Sequence, residues 1–113
     1  MYNMFSYAKK FNQPLNGWNV SNVKDMANMF FEAKSFNQNI QSWNVVSVKD
    51  MAYMFMSAES FNQNIQSWNV KNVQNMSWMF EYSPLRYYPP KWYFPWKNKI
   101  YKKQQESNIH PLR

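Results

Sequence analysis

No cysteine occurs in the chain, and glycine and histidine occur once each, as Gly17 and His110. The missing thiols exclude a disulfide framework and any thiolate metal site. A single glycine cannot build a glycine-rich phosphate loop. Acidic residues number only six, and His110 stands in a polar stretch close to the C-terminal Arg113. The usual pairing of a nucleophile with a general base therefore does not assemble. On this inventory the chain is read as non-enzymatic, with no cofactor, no catalytic residue and no metal site. Apolar runs fall far short of the roughly 18 residues that span a bilayer. The opening stretch, residues 1–10, lacks a basic segment followed by an apolar one, so no signal peptide is read in it.

What is present is aromatic: Phe, Trp and Tyr make up 20% of the 113 residues, alongside nine methionines. One domain with an aromatic and methionine-rich interior is expected, the flexible thioethers filling irregular gaps. The net charge of +7 is uneven, because residues 1–80 hold six lysines against four acids while residues 81–113 hold seven basic residues against two. Basicity thus belongs to the tail and not to the body of the chain.

That body is periodic. Methionine recurs at Met1, Met26, Met51 and Met76, and again at Met4, Met29, Met54 and Met79. Phenylalanine follows at Phe5, Phe30, Phe55 and Phe80, and again at Phe11, Phe36 and Phe61. Ala8, Ala33 and Ala58 form a column, as do Leu15, Ile40 and Ile65, and then Trp18, Trp43 and Trp68. Val20, Val45 and Val70, then Val23, Val48 and Val73, complete the unit, and residues 36–45 and 61–70 read identically. A constant 25-residue period without insertions makes each copy one turn of a solenoid that touches mainly its neighbours.

Within a copy, Val23, Met26, Met29, Phe30 and Ala33 fall three and four apart, the spacing of one face of a short helix. Ser21, Ser47 and Asn72 stand where its N-cap would be, Ser47 with Asp50 three residues on. Phe36, Gln38 and Ile40 alternate with Asn37 and Asn39, the pattern of an extended segment. The fold class expected is an α/β repeat solenoid, leucine-rich-repeat-like, with a short strand or extended segment plus a short helix per 25-residue coil and about three and a half coils. Asparagine is expected to take the left-handed turn positions that glycine would normally hold. Side-chain amides can satisfy backbone groups at coil corners. Asn12, Asn37 and Asn62 are read as one amide ladder between coils and Asn19, Asn44 and Asn69 as a second, with a ligand-binding role as the alternative.

The unit Met-x-x-Met-Phe-x-x-Ala-x-x-Phe-Asn-Gln-x-Ile-x-x-Trp-Asn-Val-x-x-Val closely resembles the repeat of the BspA-like leucine-rich-repeat surface proteins. That 25-residue repeat of unknown function is common in mycoplasmas, spirochaetes and other host-associated bacteria. The resemblance covers residues 1 to about 85. It implies a curved α/β solenoid, display at the cell surface or secretion, and adhesion to a host or bacterial partner. This chain departs from the family in carrying Asn39, Asn64, Asn44 and Asn69 where relatives commonly carry aspartate, which removes most of an acidic row.

Three segments follow: a repeat region at 1–85 (repeats 1–25, 26–50, 51–75 and a partial 76–85), an aromatic and proline-rich cap at 86–101, and a basic polar tail at 102–113. Pro84, Pro89, Pro90 and Pro95 are expected to prevent another regular coil, so the cap should fold back over the last one. The rival reading of the tail takes Lys91, Trp92, Tyr93, Trp96 and Lys97 as contacts for nucleic acid or an anionic surface. Met1 shares the column of Met26, so the chain starts inside a repeat. Further repeats upstream, or self-association through the apolar first coil, are expected to cover Tyr2, Met4, Phe5, Phe11 and Trp18. The function read from all this is a protein-binding or adhesion module with an unidentified protein partner. The alternative is an incomplete fragment of a longer surface protein, and nucleic-acid or anionic-surface binding comes third.

Overall fold

The computed structural model describes residues 1–93. Its four successive units, termed coils 1 (1–25), 2 (26–50), 3 (51–75) and 4 (76–93), lie one upon the next in parallel register. Isolated parallel bridges pair Asp25 with Asp50 and Asp50 with Asn75.

The segment that carries the methionines forms the densest contact between coils. The N–H groups of Met26, Asn28, Phe30 and Glu32 donate to the carbonyls of Asp50, Ala52, Met54 and Met56, at 2.9–3.0 Å. Coils 1 and 3 repeat the pattern, with Asn3, Phe5 and Tyr7 donating to Ala27, Met29 and Phe31, and Met51, Tyr53, Phe55 and Ser57 to Asn75, Ser77, Met79 and Glu81. The N–H groups in between stay inside their own coil: Met29 donates to Met26, Phe31 to Asn28 and Ala33 to Phe30. We call this stretch the ribbon. Along it every inter-coil donor belongs to the earlier coil and every acceptor to the later one.

The short helix expected from residues 23–33 is absent. No α-helix or multi-residue strand forms among the described residues, whose regular elements are two 3-10 turns, Pro84–Arg86 and Lys91–Tyr93. The three-and-four spacing arises from two consecutive tight turns, 26–29 and 30–33, each closed by an N–H to the carbonyl three residues back. Such turns bring residues three apart together, as a helix does, so side-chain spacing alone does not separate the two. Their third residues, Asn28 and Glu32, have φ of 58° and 57°, the left-handed backbone of a type II turn that a helix cannot contain. Asp50 does not close a capping box with Ser47, because its Oδ1 accepts from Ala52 N–H at 2.9 Å.

Left-handed backbone recurs at Asn3, Asn28, Tyr53 and Trp78, and at Tyr7, Glu32, Ser57 and Tyr82. Asparagine fills only two of these eight positions, fewer than expected, and glycine none. A non-glycine residue there carries a penalty of about 1 kcal/mol. Ser57, half-buried and small, isolates that term. Ser57→Gly is expected to raise stability by about 0.5 kcal/mol, the relief exceeding the added unfolded-state entropy. Ser57→Val should lower it by about 1 kcal/mol or more, since a branched side chain fits this backbone worst. Urea midpoints of the two variants check the sign; an unchanged pair would remove backbone strain from the account.

The apolar columns meet on the axis of the stack. Met26, Met29, Phe30, Phe36, Ile40, Trp43, Val45, Val48, Met51, Met54, Phe55, Phe61, Ile65 and Trp68 are buried, and Val70 and Val73 pack partly buried against them. Rings stack from coil to coil: Phe5, Phe30, Phe55 and Phe80 at centroid spacings of 5.6, 5.4 and 5.9 Å, and Phe11, Phe36 and Phe61 at 5.9 Å. Tryptophan adds a polar pin, with Trp43 Nε1 donating to the Leu15 carbonyl at 2.9 Å and Trp68 Nε1 to that of Ile40 at 3.1 Å.

After Leu85 the path runs on over the end of coil 3. Trp92 stacks on Trp68 at 6.3 Å, and its Nε1 donates to the Ile65 carbonyl at 3.0 Å, so it takes the tryptophan column one residue early. Tyr93, buried edge-on against Phe80 at 4.8 Å, fills the place of the second phenylalanine, which coil 4 lacks. Prolines are tolerated because they sit at turn starts, Pro84 at the head of one 3-10 turn and Pro90 accepting from Tyr93 N–H at 2.9 Å. Residues 86–93 thus continue the stack as part of a fourth coil; the rest of the expected cap, and the 102–113 tail, lie outside the described residues.

Candidate functional site

The corners decide which side chains reach the surface. Asparagine and aspartate accept from the N–H two residues on, at 2.8–3.1 Å: Asn39 from Gln41, Asn44 from Val46 and Asp50 from Ala52 in coil 2, and Asn64, Asn69 and Asn75 likewise in coil 3. These Asx turns bend the backbone locally without glycine. They also correct one expectation, since Asn19, Asn44 and Asn69 form no inter-coil ladder. Asn19 serves its own coil, accepting from both N–H and Oγ of Ser21. The acids Asp25 and Asp50 are occupied in the same way, Asp25 accepting from Ala27 N–H at 2.9 Å.

The other amide column does bridge coils, with backbone as its partner. Asn12 Oδ1 accepts from Asn37 N–H at 2.9 Å and from Gln38 Nε2 at 3.0 Å, and Asn37 Oδ1 accepts from Asn62 N–H and Gln63 Nε2 at 3.0 and 2.8 Å. Glutamine is the member that sequence reading omitted, although Gln13, Gln38 and Gln63 recur as regularly as the asparagines. Beside this column runs an open polar trough of about 450 Å³ lined by Asn16, Asn39, Gln41, Ser42 and Ser67.

Opposite in character is the outer surface of the ribbon. Its left-handed residues and their neighbours turn large side chains outward: Tyr7 lies edge-on against Phe31 at 5.3 Å, and Tyr53, Met56, Trp78, Glu81 and Tyr82 line a trough of about 290 Å³. Tyr82 is 66% exposed and Tyr7 60%. These residues occupy variable positions, so the repeat columns gave no signal for them. Buried column residues need no further explanation than packing, whereas packing does not account for these exposed rings.

Of the residues read as tail contacts, Trp92 and Tyr93 are built into coil 4, and Lys91 is held there through its N–H to Gln66 Oε1 at 3.0 Å. Trp96 and Lys97 lie outside the described residues. The exposed pair Lys34–Glu59, 3.0 Å apart across coils 2 and 3, is a surface ion pair of small energetic weight. Among the described residues no three of His, Cys, Asp and Glu gather at one point.

Residues 1–87 match the family described as "Mycoplasma protein of unknown function, DUF285". No curated protein matches the chain, and neither does any solved structure.

Proposed function

Because this chain belongs to DUF285, a Mycoplasma protein family of unknown function, we propose a role from its geometry: a leucine-rich-repeat-like solenoid that binds a protein partner through the aromatic flank of its ribbon, as a non-enzymatic adhesion module at the cell surface or secreted. The observation that carries this reading is the cluster of Tyr53, Met56, Trp78 and Tyr82 around one shallow trough. Tyrosine and tryptophan supply large contact area with few torsions to freeze, which is why they anchor interfaces. Nothing in the stacking requires rings at these positions, because Asn28 and Ser57 hold the same backbone one coil before Tyr53 and Tyr82.

Of the aromatics behind the nucleic-acid reading, Trp92 and Tyr93 commit their rings to Trp68 and Phe80, and Trp96 lies outside the described residues. The test of the adhesion reading is saturable binding of the fluorescently labelled chain to cultured animal epithelial cells. The triple variant Tyr53→Ser, Trp78→Ser, Tyr82→Ser is expected to bind about a hundredfold more weakly, as for the loss of an aromatic hot spot. Its circular dichroism and melting temperature report whether the stack is intact. Equal binding by wild type and a folded triple variant would discard the flank as the site, and no saturable binding at all would discard adhesion to such cells.

A further inference from the structure

Charge is shared unevenly between the ribbon and the rest of the stack. The ribbon segments 1–8, 26–33, 51–58 and 76–83 hold two glutamates, Glu32 and Glu81, and neither lysine nor arginine, although the chain carries 13 basic residues. Glu81 is the charged member of the trough that Tyr53, Met56, Trp78 and Tyr82 also line, and its side chain is only 14% exposed. The rings around it are unengaged among the described residues. Tyr53, Trp78 and Tyr82 make no ring contact and no side-chain hydrogen bond, whereas the column rings stack from coil to coil.

We propose that this trough takes a lysine side chain of the protein partner, its ammonium held beside Glu81 and its methylene stem laid against the rings. The inference rests on the reading of the flank as the contact surface and names the chemistry that enters it. Ring faces attract a cation set over them, and the same faces cover an apolar stem. A wholly apolar occupant would shield the Glu81 carboxylate from water and offer no hydrogen bond in return. An acidic one would meet a like charge. Arginine fits less well than lysine, because its planar fork favours both oxygens of a carboxylate. At Glu81 one of them, Oε2, already lies 3.7 Å from Arg86 Nε. An ammonium is a compact point charge that needs a single oxygen and keeps water on its outer side in so shallow a trough. With no basic residue along the ribbon, a lysine-bearing segment meets no like charge there.

The probes are capped single residues titrated into the full chain: Nα-acetyl-lysine amide, its uncharged isostere Nα-acetyl-norleucine amide, and Nα-acetyl-arginine amide. The indole N–H resonance of Trp78, identified by its loss in Trp78→Phe, reports occupancy by NMR. The lysine compound is expected to shift that resonance saturably, binding about tenfold more tightly than norleucine and more tightly than arginine. Glu81→Gln, which keeps the shape of the side chain, should weaken lysine by about fivefold and leave norleucine unchanged. Tyr82→Leu, at a side chain outside the core, should weaken lysine by about threefold.

Norleucine bound as tightly as lysine would make the trough a plain apolar contact and overturn the proposal. Arginine bound more tightly than lysine, an unmoved Trp78 resonance, or a folded Glu81→Gln chain with unchanged lysine affinity would do the same. Melting temperatures establish that each variant is folded, and Tyr82→Leu decides the matter if Glu81→Gln is not. Failure here and failure of the adhesion reading are distinguishable. Loss of cell binding by the triple serine variant, with no lysine-induced shift in the parent chain, would sink this proposal alone. A lysine-induced shift without any cell binding would sink adhesion alone.

Discussion

Phe55→Ala is expected to cost about 3–5 kcal/mol, comparable to the whole stability of so small a domain, and to leave the chain largely unfolded at 37 °C. Phe55 is fully buried and touches four rings, stacking on Phe30, Phe61 and Phe80 at 5.4, 4.2 and 5.9 Å and meeting Trp68 at 6.4 Å. Its removal opens a cavity shared by three coils, which flat stacked rings cannot close by small shifts. Phe5 occupies the same column at the end of the stack, half-buried, with ring neighbours Phe11, Trp18 and Phe30. Phe5→Ala should therefore cost clearly less, about 1–2 kcal/mol, because water already reaches one face of the ring. Chemical denaturation of the two variants compares one side chain in one column at two depths. Equal losses would mean that the rings do not share a continuous core.

A second large effect is expected at the other end. The double variant Trp92→Ala, Tyr93→Ala should destabilise the chain by about 3 kcal/mol or more and expose apolar surface to a reporter dye. Tyr93 is 4% exposed, and Trp92 is the last member of a tryptophan stack that begins within the chain at Trp43. Without them the Ile65 carbonyl loses its indole donor, and Phe80 loses the edge-on ring beside it. Trp92→Phe separates the two contributions, since it keeps a ring over Trp68 and removes only the hydrogen bond, at about 1 kcal/mol. A double variant with an unchanged melting temperature would show that coil 4 ends before residue 92.

How far these features could be read in advance differs by residue. The period and the inward columns were plain, because a methionine or phenylalanine that returns without drift must face its own image. The local backbone was hidden. Consecutive tight turns and a helix place Met26, Met29 and Phe30 on one side alike, and the left-handed positions are held by residues such as Glu32 and Trp78 that do not announce a turn. Asparagine was ambiguous for a related reason: the same side chain closes a turn within a coil at Asn44 and reaches across coils at Asn37. Coil 4 was masked by its prolines and by the early arrival of Trp92. The aromatic flank stayed invisible because it lies in columns that vary, where one sequence cannot distinguish a contact from decoration.

The single direction of the ribbon bonds also has a mechanical meaning. The hydrogen bonds of the ribbon run along the stack, each coil donating to the next, and Met1 and Tyr93 lie in its first and last described coils. Tension applied between those ends loads the coil interfaces in series, so every interface bears the same force and the outermost coil, held from one side only, yields first. Each coil that peels away releases 25 residues of slack, about 85 Å of contour at full extension. A tether of this construction lengthens in steps at nearly constant force instead of snapping, and the coils that remain still hold their ribbon surface.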